Sequence, residues 1–170
     1  TISHYLNALA DTSEDGPIGR GGAGGVRVTG VRLLQDGRQV QTVLAGDDLT
    51  IEVDYDNGGA KKTGSIVLNI YDEAGTRVTS VDSILTDATF QLDTAGTMAC
   101  TIRRLPLAMG NYRIALGFDA DGAQQDLLHS AATFQVASSA FYETGRCGAP
   151  GEVMVYVDHA WTSRQPAETV

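Results

Sequence analysis

The chain has 170 residues, 42% of them apolar and 19% charged, with 20 glycines and a formal net charge of −9. That length suits one domain, and acidity without a basic stripe excludes nucleic acid, whose phosphates would be repelled, as well as a polybasic membrane contact. No apolar run approaches the roughly 18 residues that a membrane-spanning helix needs, and many glycines beside few charges favour an all-β fold of short strands and turns.

The opening stretch TISHYLNALAD places Ile2, Tyr5, Leu6 and Leu9 at helical spacing, with Ser3 as N-cap. The polar TSEDGPIGRGGAGG after it reads as a flexible linker. Residues 1–25 are therefore expected to be a lead-in helix and Gly-rich linker, the helix reading equally as the tail of an upstream domain or as a stray N-terminal helix packed on this one, and residues 26–170 the β domain.

Strands begin at Val26. VRVTGVRLL alternates as Val26 and Val28, then changes phase after Gly30 to Val31 and Leu33, which predicts a bulge at the glycine; QDGR is a hairpin turn. LTIEVDYD sends Leu49, Ile51, Val53 and Tyr55 inward and Thr50, Glu52 and Asp54 outward. DNGGAKKTG reads as a long mobile turn. SIVLNIY is apolar on both faces, Ile66, Leu68 and Ile70 on one and Val67, Asn69 and Tyr71 on the other, so a central position is expected.

VTSVDSILTDATFQL is the least patterned segment and reads as an edge strand and a crossing loop. TMACTI points Met98, Cys100 and Ile102 inward. The clearest strand is in LPLAMGNYRIALGF, where Pro106 and Gly110 close a turn and Tyr112, Ile114, Leu116 and Phe118 share one face. LLHSAATFQV follows, with Phe134 and Val136 inward. A connection of small residues then leads to VMVYVDHAW, expected as a last strand with Val153, Val155 and Val157 on one face. Eight or so short strands of this kind describe an immunoglobulin-like antiparallel β-sandwich.

Chemical motifs are few. There is no phosphate-binding loop with its lysine, no G-x-S-x-G elbow and no H-E-x-x-H. His4, His129 and His159 are scattered and neither cysteine has a partner at zinc spacing, so no metal or other cofactor is expected. Cys100 and Cys147 read as free thiols of a reducing compartment. The Asp47–Asp48 pair, Asp119 and Asp121 fall in turns, where Asp is favoured for its local hydrogen bonds.

The outward positions carry a polar and aromatic set. Asn69 and Tyr71 come from one strand, and Asn111 and Arg113 from another beside the small Ala115 and Gly117. Tyr156, His159 and Trp161 come from the last strand. Planar donor and acceptor groups with aromatic faces suit a sugar, whose hydroxyls need paired hydrogen bonds and whose C–H face packs on a ring. A shallow groove is expected with Ala115 and Gly117 as floor and Asn69, Tyr71, Arg113 and Tyr156 as walls. Trp161 and Tyr71 read equally as core or interface residues.

In order along the chain, YLNAL, AGDDLTIEVDY, SIVLNIYDEAGTRV, LPLAMGNYRIALGF, AATFQV and VMVYVDHAW resemble the C-terminal carbohydrate-binding domain of the ATP-binding subunit in Wzt-type O-antigen ABC transporters. The resemblance covers about residues 26–161. It implies a β-sandwich on the cytoplasmic side of the inner membrane that docks the terminus of a lipid-linked polysaccharide for export. It also implies an upstream ATPase domain outside this chain, a membrane subunit as partner, and a homodimer formed by exchange of the C-terminal strand. On this reading the chain itself is not an enzyme. Two alternatives from other classes stand beside it: a structural or protein-interaction sandwich without glycan binding, and a glycan hydrolase, which would need a carboxylate pair at the groove.

Overall fold

A computed structural model describes residues 19–59, 62–139, 141–149 and 151–162. The expected helix over Ile2 to Leu9 lies outside the described residues. The strands are β1 (Arg20–Gly21), β2 (Arg27–Gln35), β3 (Arg38–Gln39), β4 (Thr42–Ala45), β5 (Leu49–Asp56), β6 (Lys62–Tyr71), β7 (Arg77–Asp82), β8 (Phe90–Leu92), β9 (Ala95–Ile102), β10 (Gly110–Ala120) and β11 (Ala123–Ser139). A 3-10 turn, Ser83–Thr86, is capped by Asp82, whose carboxylate accepts from the Ile84 N–H.

Two sheets face each other. One runs β1-β11-β10-β6-β7, with β4 also on β11 and β8 also on β6; the other runs β3-β2-β5-β9. Pairing is antiparallel except that β4 lies parallel to β11, a feature absent from the antiparallel reading. β10 is central, between β6 and β11, as its period-two pattern requires: Ile114, Leu116 and Phe118 are buried against Ile66, Leu68 and Ile70 of β6 and against Leu49, Ile51 and Val53 of the opposite sheet. Burying each such side chain stabilises the sandwich by about 1.5–3 kcal/mol.

Local signals act as expected at two places, and a third place holds a contact the sequence did not announce. The β2–β5 register shifts between Val28 and Gly30, the bulge foreseen at the glycine. Asp36 and Gly37 both have positive φ, the geometry of a tight two-residue hairpin turn. Tyr112 donates its hydroxyl to the Ala108 carbonyl at 2.8 Å, so the L-x-x-G-x-Y pattern is a clamp that ties the start of β10 to the turn before it.

Two expectations are corrected. Residues 19–25 are not a loose linker: Arg20–Gly21 pairs with β11, and the Ala23 and Gly24 N–H groups donate to the Gln124 and Gln125 carbonyls. The anchor is Asp126, which is 0% exposed and accepts from Arg20 Nε at 2.8 Å and from the Val28 N–H at 2.7 Å. A buried carboxylate needs such partners, and the strap is where the chain supplies the guanidinium. Residues 153–161 are not a strand: Val155 makes one bridge to Leu107, Tyr156 N–H donates to the Pro106 carbonyl, and Val157 is exposed. The segment approaches residues 106–108 only briefly, so the ladder has nowhere to continue within one chain.

Candidate functional site

The register of β6 and β10 brings four of the expected residues together. Arg113 lies opposite Tyr71 and Ala115 opposite Asn69, while Gly117 lies opposite Val67. Alternation puts them all on the face away from the core. The Arg113 guanidinium sits 4.4 Å from the centre of the Tyr71 ring and donates to the His129 carbonyl. His129 belongs to a bulge, because the β10–β11 register jumps from Ile114–Ala132 to Leu116–Leu128. Extra chain opposite one residue of β10 bends β11 and aims the His129 carbonyl at Arg113.

The expected floor is closed. Asn69 is 2% and Ala115 1% exposed, and Gly117 is buried too, so no ligand reaches them in this structure. The open space lies nearer the start of β10, where a groove of about 570 Å³ crosses the outward face from β4 over β11 and β10 to the turn after β6. Arg113 is its inner end. Its polar lining is Gln41, Thr42, Asp72, Glu73, Asn111, Thr133 and Gln135. Asn111 donates its amide to Glu73 across the groove, and the Asp72 carboxylate accepts from the Thr76 N–H at 2.7 Å, which shapes the turn.

Asn111 was singled out in the sequence only as a neighbour of Arg113, and the other lining residues were not foreseen. Thr133 and Gln135 alternate with the inward Phe134 and so carried a readable signal. Gln41 and Thr42 carried none, because a parallel contact with a strand over ninety residues away leaves no local trace.

Tyr156, His159 and Trp161 do not join the groove. Tyr156 is buried and stacks on Phe141 with centroids 5.4 Å apart; Tyr142 stands edge-on to both Tyr156 and His159. His159 in turn meets Trp161, which is 91% exposed. The Arg104 guanidinium covers Phe141 at 4.8 Å from the ring centre. This aromatic chain caps the end of the sandwich at residues 104–108.

Elsewhere the electrostatics are structural. On the outer face of the second sheet, Arg32 pairs with Glu52 and with Asp54, and hydrogen bonds from Arg32 first and Thr97 next hold the Asp54 carboxyl below its ordinary value. Burial raises the Cys100 thiol, which lines an apolar slot of about 290 Å³ between β7 and β9. Both cysteines are unbridged. Among the described residues no group of His, Cys, Asp and Glu is placed to hold a metal ion, and no helix is long and apolar enough to cross a membrane.

Comparison with known proteins gives one family, described as the Wzt C-terminal domain, which matches residues 19–148. Its start at residue 19 includes the docked strap. Among solved structures the fold is similar to the crystal structure of the C-terminal domain of wzt, with a TM-score of 0.68 and 12% identity over 86% of this chain and 88% of that one. A putative beta-galactosidase from Bacteroides fragilis (TM-score 0.44, 18% identity, 65% of this chain and 17% of that one) aligns with a small part of a far longer chain. A beta-D-mannosidase from Dictyoglomus thermophilum does the same (TM-score 0.45, 13% identity, 65% and 13%). No curated protein matches the chain.

Proposed function

The chain belongs to the Wzt C-terminal domain family, and on that premise we propose that it is the carbohydrate-recognising module of an O-antigen ABC transporter, reading the terminus of a lipid-linked polysaccharide in the groove that ends at Arg113. The observation that carries this reading is the groove itself: amides, hydroxyls and carboxylates from four elements converge on one open face, and Arg113 is fixed there by the Tyr71 ring and the His129 carbonyl. A guanidinium held in place loses little rotamer freedom when a sugar hydroxyl accepts from it. Binding rather than turnover is the role.

The test is a screen of bacterial O-polysaccharides followed by titration of Arg113→Ala and Asn111→Ala, each checked for an unchanged melting temperature. Loss of a hydrogen bond to a charged group costs about 1.5–3 kcal/mol, so Arg113→Ala should weaken binding about tenfold or more. Unchanged affinity in both variants sinks the groove as the site.

The ATPase domain lies upstream, the membrane subunit is a partner, and the module works on the cytoplasmic side of the inner membrane. Two protomers exchange residues 153–161. In support, Val155 and Val157 are exposed and barely paired in the single chain, while β7 and β9 end their sheets with open edges on either side of the apolar slot. An alternating segment without a ladder and an edge without a neighbour are complementary.

A further inference from the structure

The charges lining the groove restrict what it can hold. Asp72 and Glu73 stand together in the turn after β6, and each is fixed, the first by the Thr76 N–H and the second by the Asn111 amide. Arg113 is the cation of the lining, and part of its donor fork already serves the His129 carbonyl. Gln41, Thr42, Thr133 and Gln135 add polar groups without charge. Two carboxylates against one guanidinium leave an acidic groove. Arg77 lies opposite Tyr71 on β7 but does not line the groove.

Resting on the glycan reading above, we infer that the groove selects a sugar terminus that is neutral or carries a protonated amine, and discriminates against one bearing a carboxylate, phosphate or sulfate. Ionised carboxylates only accept hydrogen bonds, so hydroxyls and ammonium groups satisfy them. An anionic substituent brings acceptors to acceptors and like charge to like charge, a pairing that suppresses the wrong partner. The chain's net charge of −9 acts in the same direction at longer range.

An array of bacterial polysaccharide fragments with neutral, amino and acidic termini, probed with the whole chain, tests this. The best ligands should have neutral or amino termini, and acid-ended counterparts of the same backbone should bind about tenfold more weakly or worse. Raising the salt concentration should narrow that gap. Glu73→Gln keeps an acceptor for Asn111 and removes a charge, and it should narrow the gap several-fold at low salt. Strongest binding to acid-ended fragments, or a gap that neither salt nor Glu73→Gln changes, overturns the charge selection while leaving glycan recognition standing. If no fragment binds whatever its charge, the glycan reading fails and this inference falls with it.

Discussion

Arg113 and Ala115 are two residues apart on one strand and face the same way, yet only the first meets open space. The sequence made both look like groove residues, because alternation reports a side and not what covers it. Ala115→Leu would therefore probe packing, and Arg113→Ala probes recognition. Asp126 shows the opposite blindness: nothing in the sequence singles it out, yet it is the buried clasp between the sheets, bound to Arg20 and to the Val28 N–H. Removing Arg20 leaves that charge without its cation. Because the Arg20 side chain is 38% exposed and water screens the pair, Arg20→Ala should cost about 2–4 kcal/mol, near or below the usual range for a broken buried pair. Urea unfolding measures it, and a loss below half a kcal/mol would show that the strap does not stabilise the domain. Acid acts at another residue. The Asp54 carboxyl is held low by Arg32 first and Thr97 next. A depressed folded value means the contribution is complete above the unfolded value, about 3.9, and is lost as pH falls through the folded one. The melting-temperature difference between the parent and Asp54→Asn should therefore shrink between pH 5 and pH 2.5, and a constant difference would assign Asp54 no such role.

At the scale of elements, β5, β6 and β10 were legible because each buries one face on the core, and a period-two pattern is the direct imprint of that burial. The bulge at Gly30 and the Asp36–Gly37 turn were legible for local reasons, since backbone conformation is written in the residues that adopt it. What could not be read was contact order. The strap of residues 19–25 looks flexible from its glycines, but it docks because β11, a hundred residues later, offers carbonyls and Asp126. Residues 153–161 looked like a strand because Val153, Val155 and Val157 alternate, and alternation cannot supply the neighbour. The element that does hold the C-terminal region is the ring stack of Phe141 on Tyr156, closed by Tyr142 and Arg104. Phe141→Ala should cost about 3–5 kcal/mol, as deletion of a buried aromatic does. It should also release residues 153–161 to faster amide exchange, and unchanged exchange there would separate the stack from the segment it is said to hold.

For the whole molecule, two features meet in one architecture: a groove on one sheet face and an edge strand at the end of each sheet. The outward face of the β10 sheet keeps polar groups at its β4 end, while β7 and β9 keep their edges on the far side of β6 and β5. On the proposed function, ligand and partner surfaces fall on different strands, and exchange of residues 153–161 would form a dimer without covering the groove. Light scattering of the full chain should give twice the monomer mass, and a version ending at residue 139 should not. Backbone amide NMR during titration with the fragment that binds best asks whether the groove ending at Arg113 holds the polysaccharide terminus. The shifting amides should cluster at Thr42, Glu73, Asn111, Arg113, Thr133 and Gln135 while those of Tyr142, Val157 and Trp161 stay still; shifts gathered on the latter three, with the groove silent, would put the ligand at the aromatic cap instead.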